Sequence, residues 1–356
     1  MSGSSLDGLD LACCSFTLAA RPPLHIADWS IDAATTIAYP PEWKERLRQA
    51  TTLTTPQTCE LHAALGTYIG QQAATFLTQH PELRPTLVGC HGHTTHHDPA
   101  QGYSIQLGDG AHIARQLQLP VVTELRSADI AAGGQGAPLA PVADRYLFPT
   151  HQAFLNLGGI ANFSIRTAGD QFVAGDVTGC CQILDRLAAE RGLAYDAGGA
   201  LARSGNWLPQ LADSLDTLPY HRQPYPKSLS NQWVVQQLWP LVRDTQASVP
   251  DRLHTFTTWL ARTIAHDLLQ VSAGAAAGAQ QLLVSGGGAR NTFLVDQLTA
   301  ALQPMRVAVA DGLAGDYKEA ALIALCALLR QQGLPNSLAS ATGARHDTIN
   351  GALHAA

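Results

Sequence analysis

AFLNLGGIANFSIRTAGDQFVA, residues 153–174, decides the fold. Residues 153–157 are apolar except for one Asn and read as a short strand buried on both faces. Two glycines break the run, and a hairpin follows over 163–166 and 171–174, turning at Ala168-Gly169-Asp170. Downstream, Leu253, Phe256, Leu260, Ile264, Leu268 and Val271 fall at helical spacing, and a strand at 281–285 leads through Gly286, Gly287 and Gly288 into another helix. Upstream, strand-like runs at 9–18 and 86–91 bracket a helical stripe of Leu61, Leu65, Tyr68, Ile69, Phe76 and Leu77, with a further strand at 120–123. Strands alternating with helices predict an α/β fold, its sheets covered by helices, in two lobes with a cleft between them.

Composition agrees with two lobes and removes several functions. The 356 residues exceed what one core usually organises, and 46% hydrophobic residues can fill two. Charged residues are 14% and the formal net charge is -6, so there is no basic footprint for a phosphate backbone, and nucleic acid is not an expected partner. The longest apolar run, 320–329, is far shorter than a membrane span, so no membrane partner is expected either. A basic segment followed by an apolar run is missing at the start, which predicts a cytoplasmic protein. Seven cysteines, including the pairs Cys13/Cys14 and Cys180/Cys181, read as reduced thiols.

Residues 131–138, AAGGQGAP, are the densest breaker cluster, and the hinge is expected near them. The lobes are then 1–135 and 136–356, with the C-terminal tail packing back on the first. Familiar nucleotide signatures fail: there is no GxxxxGK(S/T), and GGGARN at 286–291 ends in Asn rather than Gly or Ala. The protein-kinase set and a GxSxG elbow are absent too. What remains is a series of small-residue turns. Gly3, Ser4 and Ser5, with Asp7 after them, offer backbone N–H groups and hydroxyls suited to phosphate oxygens, or form an ordinary solvated turn. Gly158 and Gly159, with Asn162, permit close backbone approach to a ligand or simply turn a hairpin. Asp176, at a strand end, would present a base or cap a helix. His91, His93, His96 and His97 crowd one loop, but their spacing is not that of zinc hydrolases.

Taken in order, these turns resemble the anhydro-N-acetylmuramic acid kinase family. MSGSSLDGLD at 1–10 is similar to its MSGTSLDGVD opening, and GCHGHTTHHDP at 89–99 to its GSHGQTxxHxP loop. QLGDGAHIA at 106–114 and ELRSADIAAGGQGAPLAP at 124–141 resemble two further blocks, and LNLGGIAN at 155–162 is identical. The blocks at 195–205, 226–228, 254–265, 284–291 and 316–320 continue the series. The resemblance implies a hexokinase/actin-like (ribonuclease H-like) fold using ATP and Mg²⁺, with a small-molecule anhydrosugar and a second copy of the chain as expected partners. It assigns Gly3, Ser4, Ser5, Asp7, Gly158, Gly159 and Asn162 to the phosphates, and Gly286, Gly287, Gly288 and Asn291 to the nucleoside. His91, His93, Arg126 and Asp129 fall to the sugar and Glu319 to the metal, directly or through water. Asp176 matches the aspartate that activates water for attack on C1 of a 1,6-anhydro sugar, after which the freed bridge oxygen takes the γ-phosphoryl group; the product serves cell-wall amino sugar recycling. The chain departs from the pattern where the family reads FDTGPGN and this sequence reads GDVTGCCQ. Two alternatives follow: a kinase of another anhydrosugar of the levoglucosan type, or a non-catalytic binding member. The family also carries a strand before its opening motif, so a further apolar strand is expected ahead of Met1, pairing with 9–18.

Overall fold

The computed structural model describes residues 1–2, 6, 8–19, 26–273, 280–310 and 312–356. Gly3, Ser4, Ser5 and Asp7, assigned above to the phosphates, lie outside the described residues. Contacts divide the chain into two units, Met1–Phe148 with Tyr317–Ala356, and Pro149–Asp316.

In the first unit, β1 (Gly8–Leu18) and β2 (Ile26–Ala38) form an antiparallel ribbon. Strand β3 shrinks to Val88–Gly89, shorter than the strand-like run 86–91 suggests. It lies parallel to β6 (Val121–Thr123), which pairs on its other side with the last strand of the chain, β12 (Ala352–His354). Between them in the chain, β4 (His93–Asp98) and β5 (Tyr103–Leu107) make a separate hairpin. The predicted helical stripe is the helix Thr55–Gln79, started by a capping box in which Thr54 and Gln57 satisfy each other's backbone amides. It buries Leu61, Leu65, Ile69 and Phe76. On its second side, β1 carries one bridge among the described residues, Ser2 to Leu9, with Asp10 N–H donating to Met1 O at 2.9 Å. A cavity of about 540 Å³ lies there, lined by Leu11, Cys13, Val88, Ala320 and Ile323 among others.

The segment 133–138, where the hinge is expected, is fastened into this first unit instead. Gly134 N–H donates to Asp129 O, Gly136 N–H to the Asp129 carboxylate, and Gln135 N–H to Thr342 O. Its glycines serve close packing, since a Cβ on Gly134 would meet the Asp129 carboxylate at 2.2 Å. The division falls further on, between Phe148 and Pro149.

The second unit is built on one five-stranded sheet: β7 (Ala153–Leu157), β8 (Ile160–Arg166), β9 (Phe172–Gly179), β10 (Gln281–Ser285) and β11 (Arg306–Val309). Their order is β11-β10-β7-β8-β9. Strands β11, β10 and β7 run parallel, and β7, β8 and β9 form an antiparallel meander. Strand β7 sits in the middle of the sheet, which is why it reads as an apolar run rather than an alternating one. The helices Cys181–Ala189, Val249–Ala273 and Thr292–Ala301 supply the core that covers the sheet. Phe256, Leu260 and Ile264 from the longest of them pack with Leu155, Phe163 and Ile165. Each such side chain contributes roughly 1.5–3 kcal/mol by leaving water. Among the described residues no helix is long and apolar enough to cross a membrane.

Candidate active site

In the second unit, the central strands β7 and β10 are parallel neighbours, so their carboxyl ends deliver two glycine turns side by side, where open sheets take ligands. The turn after β7 is pinned by the following helix: Cys181 N–H donates to Gly158 O at 3.0 Å and Cys180 N–H to Gly159 O at 2.8 Å. Neither glycine has a positive φ, and a Cβ on either would meet no atom closer than 3.4 Å. The protein's own packing therefore does not require glycine here, whereas a ligand lying on the backbone would. The turn after β10 divides its glycines differently. Gly286 has φ +86, and a Cβ on it would meet Asn156 Oδ1 at 2.5 Å and Leu157 O at 2.8 Å. A Cβ on Gly288 would meet Cys181 Sγ at 2.8 Å, while Gly287 faces open space. Gly286 and Gly288 thus lock the two turns together, and Gly287 leaves room above them.

Asn291, assigned from the sequence to the nucleoside, has a structural duty that the assignment omits. Its Oδ1 accepts from Leu294 N–H at 3.1 Å and caps the helix Thr292–Ala301. The cap occupies one lone pair of that oxygen and leaves the amide N–H groups unused.

Asp176 lies inside β9, not past its end as the hairpin reading expects, because β9 continues to Gly179. It stands opposite Asn162 across a bulge between β8 and β9, and bulges re-aim side chains. One carboxylate oxygen accepts from Leu229 N–H at 2.7 Å, and among the described residues no donor reaches the other. Burial pushes this carboxyl up to about 6, and the Leu229 bond only partly opposes the shift. It is poised as a proton acceptor near neutral pH.

In the first unit, β3 and β6 likewise end together and set His91 beside Arg126. Arg126 Nε donates to His91 Nε2 at 3.1 Å and Nη2 approaches the same atom at 2.9 Å, while Nη1 donates to Gly136 O at 2.6 Å. Since Nε2 accepts, the His91 proton sits on Nδ1, 3.1 Å from Gly92 O. Burial, and after it the Arg126 charge, lowers His91 to about 3, so it stays neutral. Arg126 has five N–H groups, and two remain for a ligand after these bonds. His93 is buried, burial lowers its pKa, and its Nδ1 has no partner among the described residues.

Asp129 does not present itself to a ligand. It is 0% exposed, and its carboxylate accepts from Gly136 N–H, Ser337 Oγ and Thr342 Oγ1 at 2.7–2.9 Å. It ties the loop that carries Arg126 to the C-terminal segment. Glu319 retains accessible surface, yet desolvation and then the Asp10 charge push its carboxyl above the ordinary glutamate range. Asp10 is a neighbour that the sequence motifs did not single out. The two acids offer hard oxygen donors of the kind Mg²⁺ prefers, although among the described residues no group of three candidate ligands is assembled.

Gly286→Ala should lower stability by about 1–3 kcal/mol, since it combines a positive φ with a backbone clash. Gly287→Ala should leave the melting temperature unchanged but weaken ATP binding. Thermal melts and titration calorimetry on both variants check this, and equal melting losses would contradict it.

Two glycine turns thus stand at adjoining strand ends, with a raised carboxyl on the next hairpin. Comparison carries this one step further. The family model for anhydro-N-acetylmuramic acid kinase matches residues 1–356, and the chain belongs to that family. It is 33% identical to the anhydro-N-acetylmuramic acid kinase of Synechococcus elongatus, with 100% of this chain and 98% of that protein covered. The namesake enzyme of Pasteurella multocida is 34% identical, with 99% and 95% covered. The xylulose kinase structure from Rhodospirillum rubrum overlaps with a TM-score of 0.37 at 16% identity, covering 64% of this chain and 48% of that one. The fold therefore rests on the strand order above.

Proposed function

We propose that the protein is an ATP-dependent kinase that opens 1,6-anhydro-N-acetylmuramic acid with water and phosphorylates O6 in the same act. The carrying observation is Asp176: one oxygen held by Leu229 N–H, no donor to the other among the described residues, and a carboxyl raised to about 6 on the strand that pairs with β8. In this reading Asp176 takes a proton from the water that adds to C1. The C1–O6 bond breaks, and O6 accepts the γ-phosphoryl group as ADP leaves. Gly158, Gly159 and Asn162 serve the phosphates, and the space over Gly287 serves the nucleoside. Arg126, kept charged and oriented by neutral His91, is assigned to the lactyl carboxylate of the sugar. Glu319, with Asp10 beside it, would hold Mg²⁺, which when bound neutralises phosphate charge. A levoglucosan-type sugar lacks the carboxylate, and the two N–H groups that Arg126 keeps beyond its own bonds support the acidic sugar.

The base must be ionised to act, so kcat/KM should fall as pH drops through about 6. A profile measured from acid to neutral pH checks this. Activity that stays flat down to the ordinary aspartate range, about 4, would contradict the assignment.

A further inference from the structure

Behind Asp176 lies a buried ionic and aromatic cluster for which no part of the chemistry above has a use. Lys227 Nζ lies 3.4 Å from Asp267 Oδ2, with side chains only 3% and 5% exposed. The ammonium also sits over the rings of Tyr225 and Tyr220, 4.5 and 4.9 Å from their centroids. Tyr225 Oη donates to the same Asp267 oxygen at 2.5 Å. Two members bond directly to the base. Tyr220 Oη donates to Asp176 O at 2.8 Å, and Asp176 N–H donates to Lys227 O at 2.9 Å. Leu229, whose N–H holds the Asp176 carboxylate, is two residues from Lys227. A Cβ on Gly175 would meet Lys227 O and Tyr225 Cδ1, both at 2.7 Å, so the residue before Asp176 is shaped to let this segment press on β9. The far side of Asp267, with His221, faces a cavity of about 500 Å³, and His221 joins β9 through Thr178 Oγ1 at 3.2 Å.

We infer that Lys227, Asp267, Tyr220 and Tyr225 are positioning residues for Asp176, an inference that rests on Asp176 being the base. A buried ion pair is weak evidence for stability, because desolvation offsets most of its attraction. This one joins a helix, Val249–Ala273, to the segment that grips Asp176 at its N–H, its carbonyl and one carboxylate oxygen. The frame fixes the direction of the free oxygen. It also stands between the carboxyl and the cavity behind it, keeping the carboxyl desolvated.

Tyr220→Phe removes one hydroxyl and keeps the ring. It should lower kcat about tenfold or more, with KM for ATP and melting temperature unchanged. The pair Lys227→Met with Asp267→Leu removes both charges together, which avoids a lone buried charge and should preserve folding. It should show the same loss of kcat, and the acid limb of its pH profile should move below that of the wild type as water reaches Asp176. A wild-type kcat and acid limb in Tyr220→Phe would overturn the inference. So would a loss of kcat that merely follows a loss of melting temperature with the acid limb unmoved, since that marks a structural role. If Asp176→Asn is itself active, the base assignment fails instead. If Asp176→Asn is inactive while the frame variants behave as wild type, only the positioning role fails.

Discussion

Asp176→Asn should lower the turnover of 1,6-anhydro-N-acetylmuramic acid by roughly 10²–10⁴, the usual contribution of a general base. ATP affinity should change little. The substitution is close to isosteric, and the carboxylate oxygen that accepts from Leu229 N–H has an amide oxygen to replace it. The raised carboxyl, by contrast, has no substitute: an amide cannot take a proton from water. Because the interaction matters in the transition state more than in binding, kcat and kcat/KM should fall together while KM for the sugar stays put. Steady-state kinetics with direct measurement of nucleotide binding separates the two effects. Wild-type turnover would remove Asp176 from the mechanism.

Arg126→Ala should raise KM for the acidic sugar by about ten- to a hundredfold, the equivalent of losing one charge-assisted hydrogen bond worth roughly 1.5–3 kcal/mol. The same variant should show little change with levoglucosan, which has no carboxylate for the guanidinium to meet. This contrast matters because Arg126 also braces the first unit through Gly136 O and His91. A general loosening would impair both sugars alike, whereas loss of a carboxylate partner impairs one. His91→Asn would not mimic the effect in full, since neutral His91 orients the cation and supplies no charge.

Much of this site was legible in the sequence because strand ends and glycine turns leave local signals. The run at 153–157 and the glycines at 158, 159 and 286–288 were readable as strands that end in turns, and β7 and β10 have the predicted bounds. Properties set by distant partners were not legible. Asp129 looked available for a ligand, and its burial depends on Ser337 and Thr342, some two hundred residues away. Asn291 looked like a nucleoside contact, and its capping bond to Leu294 N–H uses the oxygen. At 131–138, where the breaker cluster suggests a hinge, Gly134 lies against the Asp129 carboxylate. The frame of Tyr220, Tyr225, Lys227 and Asp267 spans 48 residues with no periodic pattern. Its one sequence signal was the PKS block containing Lys227.

The central claim, that water opening and phosphoryl transfer occur as one reaction, is tested most directly by mass spectrometry of the product. The purified protein is given ATP, Mg²⁺ and 1,6-anhydro-N-acetylmuramic acid, and ADP is measured in parallel. The account predicts one product heavier than the sugar by one water and one phosphoryl group, with one ADP formed for each. A product that gains the phosphoryl group without water, or ADP formation that does not depend on the sugar, would contradict it.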